Sequence, residues 1–271
     1  MSVEVEIWKA NLSAARAEVE RCLRLLSPDE RARAGRCPGE DARARLVIGR
    51  ALLRSLLGER LGVAPGEVRF AYGGKGKPRL AGVSGAPAFN VAHSGDVILI
   101  ALGGAGCPEL GIDVERMDAR RRPGAVVARY GTERERQAYL ALVPGERPQA
   151  FLRWWTRKEA LAKAAGGSLW ETLRAVEVPF GADPVHCLAA FGAARWLTYT
   201  WEPQAGYVSS LAVPLTAAGG GCVQALRPEP QEARTRPPAA LHLRLALQVP
   251  GERAAAAACG LSIPIDPTWI D

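Results

Sequence analysis

The predicted elements follow the same order twice along the chain, and this repetition constrains the fold more than any other feature. In the first half, leucines at helical spacing over residues 46–61 precede a strand at 68–72 and a hairpin of AFNVAH and VILIALG. In the second half, the helix AFLRWWTRKEALAKAAG precedes the strand-like run LRAVEVPF and a hairpin of ARWLTYTW and GYVSSLAVPL. We therefore predict an α+β fold with two pseudo-symmetric lobes, each a small, mostly antiparallel sheet packed with a long helix, and a cleft between them.

The predicted boundaries divide the chain into three parts. Residues 1–107 form the N-terminal lobe and residues 108–215 form the C-terminal lobe. Beyond them the composition shifts to AAGGGCVQALRPEPQEARTRPP, whose glycine, proline and charge are typical of a linker. The later run LHLRLALQV alternates as a strand does. Residues 216–271 are therefore interpreted as a linker and a C-terminal extension, which either completes a sheet or makes a separate contact.

The N-terminal segment combines a strand with a basic helix. Apolar and acidic residues alternate over residues 3–8, which predicts a strand, and Ser27 followed by Pro28 is typical of a helix start. The basic side chains that follow are Arg31, Arg33, Arg36, Arg43 and Arg45.

Composition favours an anionic partner without selecting one. The 271 residues carry a formal net charge of +7, which suits nucleic acid, a phosphorylated cofactor or an acidic protein. Two glycine-rich stretches do not match nucleotide-binding motifs. GGKGKP lacks the GK[ST] of a P-loop, and GGAGCPELG has Pro108 where a Rossmann helix would begin. The six cysteines form no CxxC pair, so neither a zinc site nor a disulfide framework is indicated. The acidic N-terminus and the short apolar runs predict a cytoplasmic protein without a membrane segment.

The stretch GIDVE places two acids on one side of a predicted strand. Side chains alternate along an extended chain, so Asp113 and Glu115 lie on one face while Ile112 and Val114 lie on the other. Paired carboxylates in a cleft need a cation, and with room for waters and a phosphate they suit Mg²⁺. The alternative is a solvated strand face.

Two further motifs favour an anion or a metal. In FNVAHSGD, His93 ends an apolar strand and enters a turn with free backbone N–H groups, although the histidine could equally be satisfied within the turn. On the helix of the second half, Trp155, Glu159 and Lys163 are spaced four apart and share one face, with Lys158 on an adjoining face. Taken singly, Glu159 and Lys163 also suit an exposed ion pair.

The motif order KP, FNxxHSG, GIDxE and WxxKEAxxK resembles the 4′-phosphopantetheinyl transferases, specifically the long, surfactin-synthetase-activating type with two lobes in one chain. The resemblance spans about residues 1–215. The matching positions are Lys77-Pro78, Phe89-Asn90, His93-Ser94-Gly95, Gly111-Ile112-Asp113, Glu115, Trp155, Lys158-Glu159 and Lys163.

The resemblance implies an enzyme that moves phosphopantetheine from coenzyme A to a serine of an acyl or peptidyl carrier protein, with Mg²⁺ as cofactor and 3′,5′-ADP as the released product. It implies that Asp113, Glu115 and Glu159 hold the metal, and that Glu159 and Lys163 are catalytic. Glu159 is the candidate base for the carrier serine, acting directly or through a metal-bound water. The coenzyme A contacts that it implies are Arg31, Arg33, Arg45, Lys77, Pro78, His93, Ser94, Lys158 and Lys163. The expected partners are carrier proteins with an acidic surface. The protein is expected to be a monomer whose active site lies between the lobes.

Three departures accompany the resemblance. Ala92 stands where many relatives have serine, Glu30 occupies a position that is basic in the surfactin-type relative, and the tail after about residue 216 has no recognised counterpart. A basic nucleic-acid-binding module is the main rival, but only 6% of residues are aromatic and they do not interleave with the basic ones. We therefore expect no nucleic-acid partner. The intact acids argue against a second rival, a silent family member that only scaffolds carriers.

Overall fold

The computed structural model describes residues 2–73, 77–104, 107–118, 122–183, 185–189, 195–215, 223–225 and 240–248. The strands are β1 (Ser2–Asn11), β2 (Phe70–Tyr72), β3 (Pro78–Leu80), β4 (Phe89–Ser94), β5 (Val97–Gly103), β6 (Gly111–Arg116), β7 (Val185–Ala189), β8 (Arg195–Trp201), β9 (Tyr207–Leu215), β10 (Val223–Ala225) and β11 (Ala240–Gln248). The helices are α1 (Leu12–Ala15), α2 (Val19–Leu23), α3 (Pro28–Gly35), α4 (Glu40–Leu61), α5 (Pro123–Tyr130), α6 (Glu133–Ala141), α7 (Arg147–Ala165) and α8 (Leu169–Ala175).

The first sheet has the antiparallel order β10-β11-β1-β5-β4. Strand β1 lies in its middle, with Val5 opposite Gly103 of β5 on one side and opposite Leu245 of β11 on the other. Residues 240–248 therefore complete this sheet, which confirms one of the two alternatives for that part of the extension. A separate hairpin pairs β2 with β3, and the second sheet has the antiparallel order β6-β9-β8-β7.

The two sheets lie face to face between two long helices. Alternate residues of β5 point in opposite directions, so that Ile98 and Ile100 pack with α4 while Leu99 packs with Ile112 and Leu211 of the second sheet. The far face of the second sheet packs against α7 through side chains that include Trp154, Leu161, Val208 and Ala212. The result is a layered arrangement of helices and small antiparallel sheets, in agreement with the predicted α+β class.

The helix start predicted at Ser27 is confirmed and has a further consequence. Glu30 returns a carboxylate oxygen to the backbone N–H of Ser27 at 3.1 Å, completing a capping box. Glu30 also makes two ion pairs with α4: its carboxylate lies 2.6 Å from Arg54 Nε, in a buried pair, and 3.8 Å from Arg50 Nε. The acid at this position therefore anchors α3 to α4.

The run LRAVEVPF does not form the strand predicted from its sequence. Ser168 begins a helix that includes Leu173–Ala175, and the residues after it join no described sheet. Their backbone is satisfied by side chains: Val178 N–H donates to Glu135 at 2.7 Å, and Arg157 donates to the carbonyl of Pro179 at 2.7 Å. No described helix is long and apolar enough to cross a membrane.

Candidate active site

Strand β6 and helix α7 approach each other at Gly111 more closely than any side chain would allow. A Cβ atom at this position would lie 2.1 Å from the carbonyl oxygen of Ala160 and 2.4 Å from the nitrogen of Ala164. Glycine is required here because a Cβ atom does not fit. Its conformational freedom is not the reason, since the backbone of Gly111 does not adopt a positive φ. The close approach brings Asp113, two residues further along β6, against the last turns of α7.

Asp113 is a buried carboxylate with one paired and one unpaired oxygen. Only 5% of the residue is exposed, and Oδ1 accepts a hydrogen bond from Lys163 Nζ at 2.6 Å. Oδ2 is buried and has no hydrogen-bond partner among the described residues. Burial raises the pKa of Asp113 to about 7, and the negative charges of Glu159 and Glu115 act in the same direction, whereas Lys163 lowers it.

Glu115 and Glu159 complete an acidic cluster around Asp113. Glu115 accepts hydrogen bonds from Ser94 Oγ at 3.0 Å and from Trp155 Nε1 at 3.3 Å. Glu159 is half-buried on α7, and burial raises its pKa, with Glu115 also raising it and Lys163 lowering it. The structure thus brings together the three predicted acids, Lys163 and Ser94.

The residues of this cluster fit a hard divalent cation by chemistry. The ligands that its acids offer are carboxylate oxygens, which Mg²⁺ prefers. One of them, Oδ2 of Asp113, is buried and accepts no hydrogen bond from the described residues. They do not form a ready-made metal centre, since no group of three His, Cys, Asp or Glu side chains in the described ranges is arranged to hold an ion. Instead, Lys163 pairs with Asp113 while Ser94 and Trp155 hold Glu115.

The turn after His93 is fixed by both sheets and by the N-terminal helix. Gly95 has φ +52°, and a Cβ there would lie 2.6 Å from the hydroxyl of Tyr207. The same hydroxyl accepts a hydrogen bond from the backbone N–H of Asp96 at 3.1 Å. The Asp96 carboxylate in turn accepts from Ser13, from its N–H at 2.6 Å and from its hydroxyl at 2.7 Å. These contacts hold the turn in place, and with it Ser94 beside Glu115.

A basic pair borders this turn. The side chain of His93 reaches solvent, yet the protein around it lowers its imidazole pKa by desolvation and then by the positive charge of Arg45. Arg45 donates to the carbonyl of Gly95 at 3.4 Å, and its Nε is buried without a hydrogen-bond partner in the described part of the chain. An anion placed here would neutralise Arg45 and raise the imidazole pKa.

A cleft of about 250 Å³ opens beside α3 and α4. Its lining residues are Asp29, Glu30, Arg33, Arg36, Leu46, Arg50 and Tyr72. Three guanidinium groups line it, of which only Arg33 was predicted as a site residue. The spacings Arg33 to Arg36 and Leu46 to Arg50 are those that share a helix face, which is the signal that could have identified Arg36 and Arg50.

Family models match both halves of the chain. Residues 109–212 match the 4′-phosphopantetheinyl transferase superfamily, and residues 10–103 match a family described as 4′-phosphopantetheinyl transferase, N-terminal. The chain is 31% identical over 215 residues to the 4′-phosphopantetheinyl transferase HetI of Nostoc sp., with 79% of this chain and 89% of that protein aligned. The chain belongs to the 4′-phosphopantetheinyl transferase superfamily. It is thus a transferase of the holo-carrier-protein synthase class.

Other relatives of this transferase match over shorter stretches. It is 38% identical over 122 residues to the 4′-phosphopantetheinyl transferase AcpT of Salmonella typhimurium, which covers 44% of this chain and 58% of that one. It is also 30% identical over 185 residues to the L-aminoadipate-semialdehyde dehydrogenase-phosphopantetheinyl transferase of Xenopus laevis, covering 63% and 59%. The chain thus aligns with somewhat under two thirds of these two relatives' lengths.

Four further residues that were predicted to contact coenzyme A have other partners or positions in the structure. Lys158 is fully buried on the other side of α7, where its ammonium contacts Glu135 at 2.8 Å and the carbonyl of Leu173 at 2.9 Å, so the structure does not bring it to the cluster. Arg31 donates to the carbonyl of Leu26. Lys77, expected near the nucleotide, donates to the backbone carbonyls of Leu110, Lys163 and Ala164. Pro78, which follows Lys77, begins β3.

Proposed function

We propose that this transferase moves the 4′-phosphopantetheine group from coenzyme A to a serine hydroxyl of an acyl or peptidyl carrier protein. The serine oxygen forms a bond to the β-phosphorus of coenzyme A, the bond from that phosphorus to the bridging oxygen breaks, and 3′,5′-ADP leaves. The observation that carries the proposal is the buried Asp113, paired with Lys163 on one oxygen, unpaired on the other, and flanked by Glu115 and Glu159.

In this proposal the acidic cluster supports charge neutralisation at the pyrophosphate. Mg²⁺ held by Asp113, Glu115 and Glu159 would supply the positive charge that phosphoryl transfer requires. Lys163 adds an ammonium group that bonds to Asp113 at 2.6 Å and is available to a phosphate oxygen once the carboxylate binds a cation. Ser94 and Trp155 fix the orientation of Glu115 through its two oxygens.

Glu159 is assigned the role of base for the carrier serine. A serine hydroxyl is a poor nucleophile at neutral pH and has to lose its proton as the new bond forms. Burial raises the pKa of Glu159, which makes its carboxylate a stronger proton acceptor than an exposed glutamate.

The basic groups of the first lobe are assigned to the nucleotide of coenzyme A. His93 and Arg45 suit the 3′-phosphate, because the guanidinium has an unpaired buried Nε and the imidazole lies beside it. The cleft lined by Arg33, Arg36 and Arg50 offers further positive charge for the same end of the molecule. The active site then lies between the two pseudo-symmetric lobes. The net charge of +7 favours an acidic carrier, and we propose that the protein acts as a cytoplasmic monomer.

The test incubates the protein with coenzyme A, Mg²⁺ and a panel of fatty-acid, polyketide and peptide-synthetase apo-carriers, and measures the mass of each carrier. We expect one carrier or more to gain a single phosphopantetheine group, and EDTA to abolish the gain. If no carrier changes mass while another phosphopantetheinyl transferase modifies the same panel, the proposal is refuted.

The role of Glu159 is tested with a matched pair of variants. Glu159→Gln removes the carboxylate that faces the cluster and is expected to lower kcat by about a hundredfold, as is usual when a general base is lost. Glu146→Gln makes the same chemical change at an exposed position next to the start of the same helix and is expected to leave kcat unchanged. Equal rates for the two variants at saturating Mg²⁺ would contradict the assignment.

A further inference from the structure

The last turn of α7 is completed by a side chain from the first lobe. The final carbonyls of a helix have no intrahelical donor and need one from elsewhere. In α7 the N–H groups of Gly166 and Gly167 both donate to the carbonyl of Ala162. The next two carbonyls, of Lys163 and Ala164, accept hydrogen bonds from Lys77 Nζ at 2.5 and 3.3 Å.

The ammonium group of Lys77 also contacts the second lobe at a third point. Its Nζ lies 3.3 Å from the carbonyl oxygen of Leu110, the residue directly before Gly111. An ammonium group has three N–H donors, and the three carbonyls use all of them. The side chain is half-buried, and desolvation lowers its pKa. As it stands, Lys77 has no donor left for a phosphate of coenzyme A.

The three carbonyls lie on the two segments that form the acidic cluster. Leu110 leads into β6, which carries Asp113, and Lys163 is the residue whose side chain reaches Asp113. We propose that Lys77 is a positioning residue: it fixes the last turn of α7 to the start of β6, so that Lys163 stays on Asp113. This inference rests on the proposed function and replaces the expectation that Lys77 binds the nucleotide.

The experiment compares Lys77→Met with Arg79→Met. The first variant keeps most of the side-chain length but loses all three donors, whereas the second removes one positive charge from an exposed position two residues later, on β3. For Lys77→Met we expect kcat per folded enzyme to fall at least tenfold, with the Kd of coenzyme A, measured by calorimetry, changing less than threefold. For Arg79→Met we expect kcat to stay within twofold of that of the unmodified protein. Lys77→Arg, which retains donors and charge, is expected to recover part of the lost kcat.

The outcomes separate a positioning role from the alternatives. A Kd for coenzyme A raised tenfold with kcat preserved would show that Lys77 is a ligand and overturn the proposal. Reduced stability with normal kcat per folded enzyme would also overturn it, because the side chain would then serve stability alone.

A second measurement does not depend on activity. Faster hydrogen exchange of the amides of Gly166 and Gly167 in Lys77→Met, but not in Arg79→Met, is expected if Lys77 orders this turn. Unchanged exchange would overturn the proposal. If the unmodified protein modified no carrier, the proposed function would fail, while the exchange result would still decide whether Lys77 fixes the helix end.

Discussion

The contact between β6 and α7 at Gly111 makes a quantitative prediction for Gly111→Ala. The added Cβ would lie 2.1 Å from the carbonyl oxygen of Ala160, so the strand and the helix have to separate by about 1 Å to reach an acceptable contact. The three nearest atoms that the methyl group would meet all belong to the helix backbone, which cannot move away as a flexible side chain would. The backbone of Gly111 does not adopt a positive φ, so the cost is steric and not conformational.

Overpacking of this kind costs about 1–3 kcal/mol of unfolding free energy, which corresponds to a fall in Tm of roughly 2–12 °C for a domain of this size. The effect on catalysis is expected to be larger. The shift separates Asp113 from Lys163, which now lie 2.6 Å apart, and a misplacement of about 1 Å can lower turnover about a hundredfold.

The assay is kcat for carrier modification, together with thermal unfolding, for Gly111→Ala and for Gly145→Ala. Gly145 lies just before α7 and also lacks a positive φ, and a Cβ added there would meet no atom within 4 Å, so its substitution adds the same methyl group without a clash. We expect Gly145→Ala to match the unmodified protein in both measurements. A Gly111→Ala variant with unchanged kcat and Tm would refute the argument that the close approach positions the cluster.

Two further predictions concern buried ionisable side chains of helix α7 and of the second sheet. Lys158→Met leaves the buried carboxylate of Glu135 without its cation and should cost about 3–5 kcal/mol of stability in chemical unfolding. The double variant with Glu135→Leu should recover only part of that loss, because the N–H of Val178 then loses its acceptor; a double variant as unstable as the single one would contradict this. Burial lowers the pKa of His186 to about 4, and the charge of Arg157 adds to this effect, so the unfolded chain binds more protons than the folded one between about pH 4 and 6.5. Stability should therefore fall as the pH drops from 6.5 to 4, by less than the ~3 kcal/mol that the full pKa shift corresponds to, because solvent screens a partly exposed imidazole. His186→Gln should show a shallower fall, and parallel curves for the two proteins would exclude this origin.

The parts of the site that depend on local periodicity could be predicted from the sequence. Strand alternation placed Asp113 and Glu115 on the face opposite Ile112 and Val114, and the structure confirms that the apolar pair enters the core between the sheets. Helical spacing grouped Trp155 with Glu159 and Lys163, and these side chains do point to the acids of β6. Both patterns are fixed within a few residues of chain, so no tertiary contact was needed to find them.

The roles of the other lysines depend on contacts that no local pattern encodes. Lys158 is only one position away from the predicted face of α7, yet it is enclosed because Glu135, 23 residues earlier, supplies a buried carboxylate. Lys77 meets the carbonyl of Lys163, 86 residues later. The run LRAVEVPF alternates as a strand does, but its end is held by side chains of α6 and α7 in place of a neighbouring strand. In each case a distant partner outweighs the local preference.

The FNxxHSG motif also has a structural role besides its proposed contacts with coenzyme A. Asn90 accepts a hydrogen bond from the backbone N–H of Ile112 at 2.9 Å, and Ser94 bonds both to Glu115 and to the N–H of Arg116 at 3.1 Å. These bonds cross from β4 of the first sheet to β6 of the second, at both ends of the strand that carries the acids. A motif that looks like a ligand-binding signature in the sequence therefore also sets the register between the two sheets, and with it the distance from His93 to the acidic cluster. Substitutions of Asn90 should accordingly act on the geometry of the acids without any contact to substrate, because the bond that is lost joins the sheets directly.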